Sequence, residues 1–264
     1  MDFSFANDFK YFTVRIEIID DQCEVLGTGT GFFLDIQIGN ETKSYVITNR
    51  HVVEGARRGR FAIHKAKEDG SLSLDNSAYL YPEKFHKSWI FHPDKNIDLA
   101  AYPLPQFIKE ASNSSFKPYI KAFHSSNIPI HMGSMKINSI ENILMIGYPS
   151  SLWDERNNLP IVRHGVTATD PKLDFNGKKC FVIDTACFPG SSGSPVVIYY
   201  NNVHQNRIEY ILSGVLYAGP LRTEEGDIQI KEIPMNELLY AEFHLPINLG
   251  YVIKSNELLA FAKF

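Results

Sequence analysis

FPGSSGSPVV, residues 188–197, decides how this chain of 264 residues is read. It sets Ser192 inside a G-x-S-G-x-P string, after one apolar strand-like run and before another. A serine hydroxyl is a poor nucleophile at neutral pH. It needs a base to take its proton and donors to hold the oxyanion that forms. Gly190 and Gly193 permit the sharp turn that exposes such a hydroxyl, and Gly190 lets a substrate carbonyl approach the main-chain N–H groups. Gly/Ser-rich turns between strands are common, so the string acquires chemical meaning only with a histidine and a carboxylate upstream.

Both are present. His51 lies in YVITNRHVVEGA, just past a β-branched run from Tyr45 to Thr48. Asp98 lies in NIDLAAYPL, where an acid opens a short apolar strand. Asp94, four residues earlier, is the competing carboxylate, and either could cap a turn. Leu99-Ala100 favours Asp98, which would leave the edge of a buried strand. The chain order His, Asp, Ser differs from the orders in subtilisin and the α/β-hydrolases. The G-x-S-x-G elbow of the latter also fails, because Ser194 stands at its last glycine.

Seven stretches follow one another in a familiar order: GTGTGFFL (27–34), VITNRHVV (46–53), IDLAAYPL (97–104), IGYP (146–149), IDTACFPGSSGSPVV (183–197), SGVLYAG (213–219) and GYVIKSNELL (250–259). Together they resemble the trypsin-like (chymotrypsin-fold) serine peptidases, nearest in texture to HtrA-like and other prokaryotic stand-alone members. The resemblance implies an all-β chain of two six-stranded antiparallel β-barrels with a short C-terminal helix. Residues 1–120 would form the barrel carrying His51 and Asp98. Residues 121–264 would form the barrel carrying Ser192 and the substrate pocket, with the active site in the cleft between them.

By the same resemblance Ser192 is the nucleophile and His51 the general base, then the acid to the leaving amine. Asp98 orients the imidazole, and the backbone N–H groups of Gly190 and Ser192 form the oxyanion hole. Ala186, six positions before Ser192, would floor the primary pocket. With no acid there, a buried lysine or arginine would lack a counter-charge, at a cost on the order of several kcal/mol. Cleavage is therefore expected after a small-to-medium apolar residue of a protein or peptide substrate. Tyr217, Ala218 and Gly219 would pair with the substrate backbone, and Leu249 would narrow the pocket. Ser191 stands where animal digestive relatives carry an aspartate that pairs with a new N-terminus, and no Ile-Val-Gly-Gly-like start exists. Activation by propeptide cleavage is not expected; control by a regulatory protein partner or by loop ordering is. No cofactor is implied. The competing readings are a catalytically silent peptide-binding module on the same fold and an esterase.

Composition agrees with a globular chain. The net charge of −4 comes without a basic stripe, so nucleic acid is not an expected partner; for want of a long apolar run, neither is a membrane. No apolar run reaches the ~18 residues of a spanning helix. The start, MDFSFANDFK, lacks the basic and apolar regions of a secretion signal. Three cysteines, Cys23, Cys180 and Cys187, make no disulfide framework. A cytoplasmic protein is expected. With no Cys-x-x-Cys or His-x-x-x-His pair, a metal is not.

Strand-like runs are Tyr11 to Ile18, Gly31 to Ile38, Ser44 to Thr48, Phe61 to His64, Leu99 to Tyr102, Asn142 to Ile146, Lys179 to Ile183, Pro195 to Tyr200, Arg207 to Leu216 and Tyr251 to Ile253. Asn176-Gly177 predicts a tight hairpin. The polar stretch from about Pro105 to Asn138 reads as the linker between barrels. Asn256 to Phe264 reads as a short helix with Asn256 as its N-cap. The segment between Gly219 and Gly250, which includes RTEEGDIQIKEIP (222–234), reads as a surface loop or, more sharply, a specificity loop.

Overall fold

The structure, a computed structural model, describes residues 8–129, 137–149, 152–202, 207–227 and 240–264. The first sheet is built from β1 (Thr13–Ile19), β2 (Val25–Ile38), β3 (Glu41–Thr48), β4 (Arg58–Ala66), β5 (Leu72–Leu80), β6 (Ile90–Phe91) and β7 (Ala100–Pro103), in the order β5-β4-β1-β2-β3-β7-β6. A short β8 (Phe123–His124) adds to it in parallel with β2. The second half closes into a six-stranded barrel from β9 (Asn142–Gly147), β10 (Ile161–Thr167), β11 (Cys180–Asp184), β12 (Pro195–Asn202), β13 (Arg207–Ala218) and β16 (Leu249–Lys254). Its order is β10-β11-β16-β13-β12-β9. β14 (Leu221–Asp227) and β15 (Tyr240–Pro246) form a separate two-stranded ribbon in the segment between Gly219 and Gly250. The rest of the RTEEGDIQIKEIP stretch lies outside the described residues. A closed barrel beside a second, mostly antiparallel sheet is the all-β, chymotrypsin-like architecture that the sequence implied.

Strand periodicity explains the three apolar clusters among the described residues. Successive side chains of a strand point to opposite faces. On β1, Val14 and Ile16 therefore enter the core of the first sheet. Arg15 and Glu17 take the other face, where Glu17 accepts from Arg15 Nε (2.7 Å) and Arg60 Nε (2.6 Å). On β12, Val196 and Ile198 fill the closed barrel while Val197 turns outward. β2 is buried on both faces. Phe33 packs into the first sheet's core, whereas Phe32, Leu34 and Ile36 join a cluster shared with Val197, Leu212, Val215 and Ile253 of the barrel. Phe123 sits in that shared cluster with ring centroids 4.7 Å from Phe12 and 5.8 Å from Phe32. This shared cluster holds the two halves together.

Three expectations are corrected. The stretch read as a linker begins with a helix, here α2 (Leu104–Asn113), following a one-turn helix α1 (Arg50–Val53). Leu104, Phe107 and Ala111, spaced as one helical face, are buried against the first sheet, and Tyr102 donates to Glu110 Oε2 at 2.7 Å. Asn176 and Gly177 do adopt left-handed φ (50° and 73°), but in a 3₁₀ turn, Phe175–Gly177, inside the loop before β11. The β10–β11 ladder pairs Thr167 with Ile183, so no two-residue hairpin joins the strands. Lys254 and Lys179 instead tether that loop through Asp174, at 2.7 and 2.8 Å. The C-terminal helix is a 3₁₀ helix, Ser255–Lys263, with Lys254 rather than Asn256 at its N-cap position and no side-chain cap there. Leu258 and Phe261 bury its apolar side in the shared cluster.

Candidate active site

The β3–β7 ladder brings His51 and Asp98 together. Thr48 pairs with Ala100, so the residues just past β3 face those just before β7. His51 emerges on α1, and Asp98 stands two residues before β7. His51 Nδ1 lies 2.5 Å from Asp98 Oδ2, and the His51 backbone N–H donates to Asp98 Oδ1 at 2.9 Å. Both carboxylate oxygens are thus committed to one residue. The Asn49 side-chain amide donates to the Asp98 backbone carbonyl at 2.8 Å. A carboxylate only accepts, so Nδ1 carries a proton, and in the neutral ring Nε2 is then the nitrogen with the free lone pair. The imidazole stays half-exposed, with a quarter of the Asp98 side chain accessible. Asp94 serves its own turn, accepting from the Asn96 backbone N–H at 2.9 Å.

Ser192 sits on the connection from β11 to β12. Phe188-Pro189-Gly190-Ser191 closes a turn in which the Ser191 N–H donates to Phe188 O at 3.0 Å. Gly190 takes φ +83°, as the third position of a type II Pro-Gly turn requires. Gly193 follows with φ +88°. A Cβ on Gly193 would collide with the Thr30 carbonyl and lie 2.6 Å from Thr48 Oγ1, so glycine is required there for space as well as for φ. The N–H groups of Ser191, Gly193 and Ser194 all donate within the protein. Among the described residues, those of Gly190 and Ser192 have no acceptor. Two free amides flank the Ser192 turn, the arrangement that receives a developing negative charge.

This turn is fastened to the strands that carry the histidine. The Thr30 N–H on β2 donates to Ser192 O at 2.8 Å. Thr48, three residues before His51, donates from Oγ1 to Thr30 O at 2.7 Å. Gly29 lies against Val52 of α1.

Ser192 also lines a cavity of about 200 Å³ with Cys187, Phe188, Pro189, Leu216, Ala218, Gly219, Pro220 and Leu249. No charged side chain lines it among the described residues. Ala218, Gly219 and Leu249 are therefore walls of the cavity, whereas Ala186 and Tyr217 are not among its lining residues. Tyr217 falls in a register break of the β13–β16 ladder, and its hydroxyl lies 3.9 Å from Cys180 Sγ. Cys187 and Phe188 escaped the sequence reading. Cys187 Sγ fits because Gly250 has no side chain: a Cβ there would lie 2.7 Å from the sulfur. Burial pushes the Cys187 thiol up to about 11, against the opposing charge of Arg163. Arg163 stacks over Phe188 with its guanidinium carbon 5.0 Å from the ring centre. Pairing of β12 with β13 ends at Val215, which leaves residues 217–219 unpaired on that side.

All three cysteines are free thiols. Among the described residues, no helix is long and apolar enough to cross a membrane.

No curated protein matches the chain. Among solved structures, the Rv3671c protease in its inactive form is 14% identical with a TM-score of 0.44, over 99% of this chain and 95% of that one. The active form of the Rv3671c protease from M. tuberculosis is 13% identical with a TM-score of 0.43, over 97% and 84%. A serine protease of a human pathogenic astrovirus is 13% identical with a TM-score of 0.42, over 93% and 90%. A family model described as a trypsin-like peptidase domain matches residues 29–203, about two thirds of the sequence. That span runs from the strand fastened to the Ser192 turn, through His51 and Asp98, to beyond Ser192 itself, and the chain belongs to the trypsin-like peptidase family.

Proposed function

We propose that the chain is a serine endopeptidase acting through His51, Asp98 and Ser192. His51 Nε2 takes the Ser192 hydroxyl proton as Oγ attacks the scissile carbonyl carbon. The carbonyl oxygen, now negative, is received by the N–H groups of Gly190 and Ser192. Collapse of this intermediate breaks the C–N bond. His51 gives its proton to the departing amine, and the acyl group stays on Ser192 until water, deprotonated by the same imidazole, releases it. Asp98 keeps the ring in the required tautomer and stabilises its charged form. The observation that carries this reading is the double contact of His51 with the Asp98 carboxylate, through ring and backbone N–H.

The substrate is a protein or peptide cut after a small-to-medium apolar residue, held in the uncharged cavity beside Ser192 with its backbone along Ala218 and Gly219. Residues 1–120 and 121–264 act as one peptidase unit in the cytoplasm, where three free thiols persist. A regulatory protein partner restrains or activates it.

Labelling by a fluorophosphonate probe tests the reading directly. Wild type is expected to label and Ser192→Ala to remain unlabelled; a wild type that stays unlabelled would point to a peptide-binding module instead. Sequencing the new N-termini released in a proteome digest, with Ser192→Ala as control, then reads the cleavage preference. Preferred cleavage after lysine or arginine would overturn the apolar pocket, and ester turnover without peptide turnover would make the chain an esterase.

A further inference from the structure

Thr30 is wholly buried, and each of its polar groups is engaged. Its N–H donates to Ser192 O at 2.8 Å. Its hydroxyl donates to Gly190 O at 3.1 Å and accepts from the Tyr148 N–H at 2.9 Å. Its carbonyl accepts from Thr48 Oγ1 at 2.7 Å. One residue of β2 thus touches the turn that carries Ser192, the residue after β9 and the end of β3.

The two free amides belong to the 189–190 and 191–192 peptides. The two carbonyls that Thr30 holds belong to the intervening 190–191 peptide and to the next one, 192–193. Donor peptides and anchored peptides alternate along the turn. Gly190 has no side chain to restrict its rotation, and its backbone conformation is otherwise the softest point of the turn. A hydrogen bond to Gly190 O supplies the missing restraint. Gly147 leaves the room for it, because a Cβ there would stand 2.8 Å from Thr30 Oγ1 and would collide with Ser194 Oγ.

We propose that the Thr30 hydroxyl is a positioning group for the oxyanion-binding turn, relaying the end of β9 to Gly190. It touches neither substrate nor reacting atoms; it holds the free Gly190 N–H in the direction where the oxyanion forms. This rests on the peptidase reading above and deepens it. Preorganised donors matter because they need no rearrangement as charge develops, so a loosened turn costs rate rather than ground-state binding.

The test compares Thr30→Val, which keeps the shape and loses the hydroxyl, with Thr30→Ser, which keeps the hydroxyl and loses a methyl. Purified full-length chains are treated with a fluorophosphonate probe over a concentration series, separating the limiting phosphonylation rate from the apparent binding constant. Thr30→Val is expected to lower the limiting rate by roughly 10- to 100-fold at an unchanged binding constant, and Thr30→Ser to recover it to within about threefold of wild type. A purely structural role would instead follow the thermal midpoints of the two variants. Equal limiting rates for Thr30→Val and wild type overturn the inference and leave the peptidase reading standing. A wild type that never labels overturns both. Should Thr30→Val fail to fold, Thr30→Ala against Thr30→Ser isolates the same hydroxyl, and equal rates in that pair overturn the proposal.

Discussion

The Asn49 side-chain amide donates to the Asp98 backbone carbonyl at 2.8 Å, so the residue opening the His51 turn also grips the main chain of the carboxylate that His51 faces. Asn49 is fully buried, and its loss would leave that carbonyl without its donor. Asn49→Ala is expected to cost about 1–3 kcal/mol of stability. It should also lower kcat by roughly tenfold, the scale of about 1.4 kcal/mol in the barrier. Melting curves and turnover of the best peptide substrate measure the two effects.

Asp98→Asn should be far more severe for turnover than for folding. Asparagine keeps the size but offers an NH₂ where the carboxylate accepts from both Nδ1 and the backbone N–H of His51. The ring then takes the wrong tautomer, and kcat is expected to fall by about four orders of magnitude with a near-native melting midpoint. A drop of less than tenfold would remove Asp98 from the proposed machinery.

Gly193→Ala tests the turn itself. At φ +88°, with Thr30 O and Thr48 Oγ1 crowding the missing Cβ, alanine is both strained and obstructed. A destabilisation on the order of 2 kcal/mol or more is expected, together with loss of fluorophosphonate labelling.

Cys187 should ignore alkylating reagents at pH 8. Burial holds its thiol at about 11, so the reactive thiolate is scarce below that pH, while Cys23 is exposed. Iodoacetamide followed by peptide mass mapping should find Cys23 modified and Cys187 intact in the folded protein, and both modified in urea.

His64 gives the stability a pH dependence. Its imidazole is buried, which lowers its pKa below the usual value; a backbone contact with Asn158 opposes this, and the charge of Lys10 adds to it. The unfolded chain therefore takes up a proton at a pH where the folded one does not, so stability is full above the ordinary histidine range and declines as pH falls through it. Tm should drop between about pH 7 and pH 5, and less so in His64→Gln. Identical slopes in the two proteins would assign the effect to other groups.

What the sequence disclosed, and what it hid, follows from the range of the interactions involved. β1, β2, β3 and β12 were legible because runs rich in β-branched and aromatic residues are a local signal. β10 was not: Val162 and His164 are exposed, Arg163 and Gly165 interrupt the apolar pattern, and the strand is fixed by its pairing with Met145 and Leu144. α2 was concealed by Pro105, a residue tolerated in the first turn of a helix, and by polar residues that dilute Leu104, Phe107 and Ala111. Cys187 joins the cavity wall only because Gly250, 63 positions later, makes room for its sulfur. The bond from Thr30 to Gly190 spans 160 positions, and no local pattern announces it.

β2 has a core on each of its faces, and this fixes it like a rule pinned between two gauges. Sliding it by one residue would exchange Phe33 with Phe32 and Leu34, spoiling both interiors at once. The same slip would bring Gly29 or Gly31 opposite Ser192 in place of Thr30. Alignment of this single strand therefore sets, within one residue, both how the halves dock and whether the reactive turn keeps its shape.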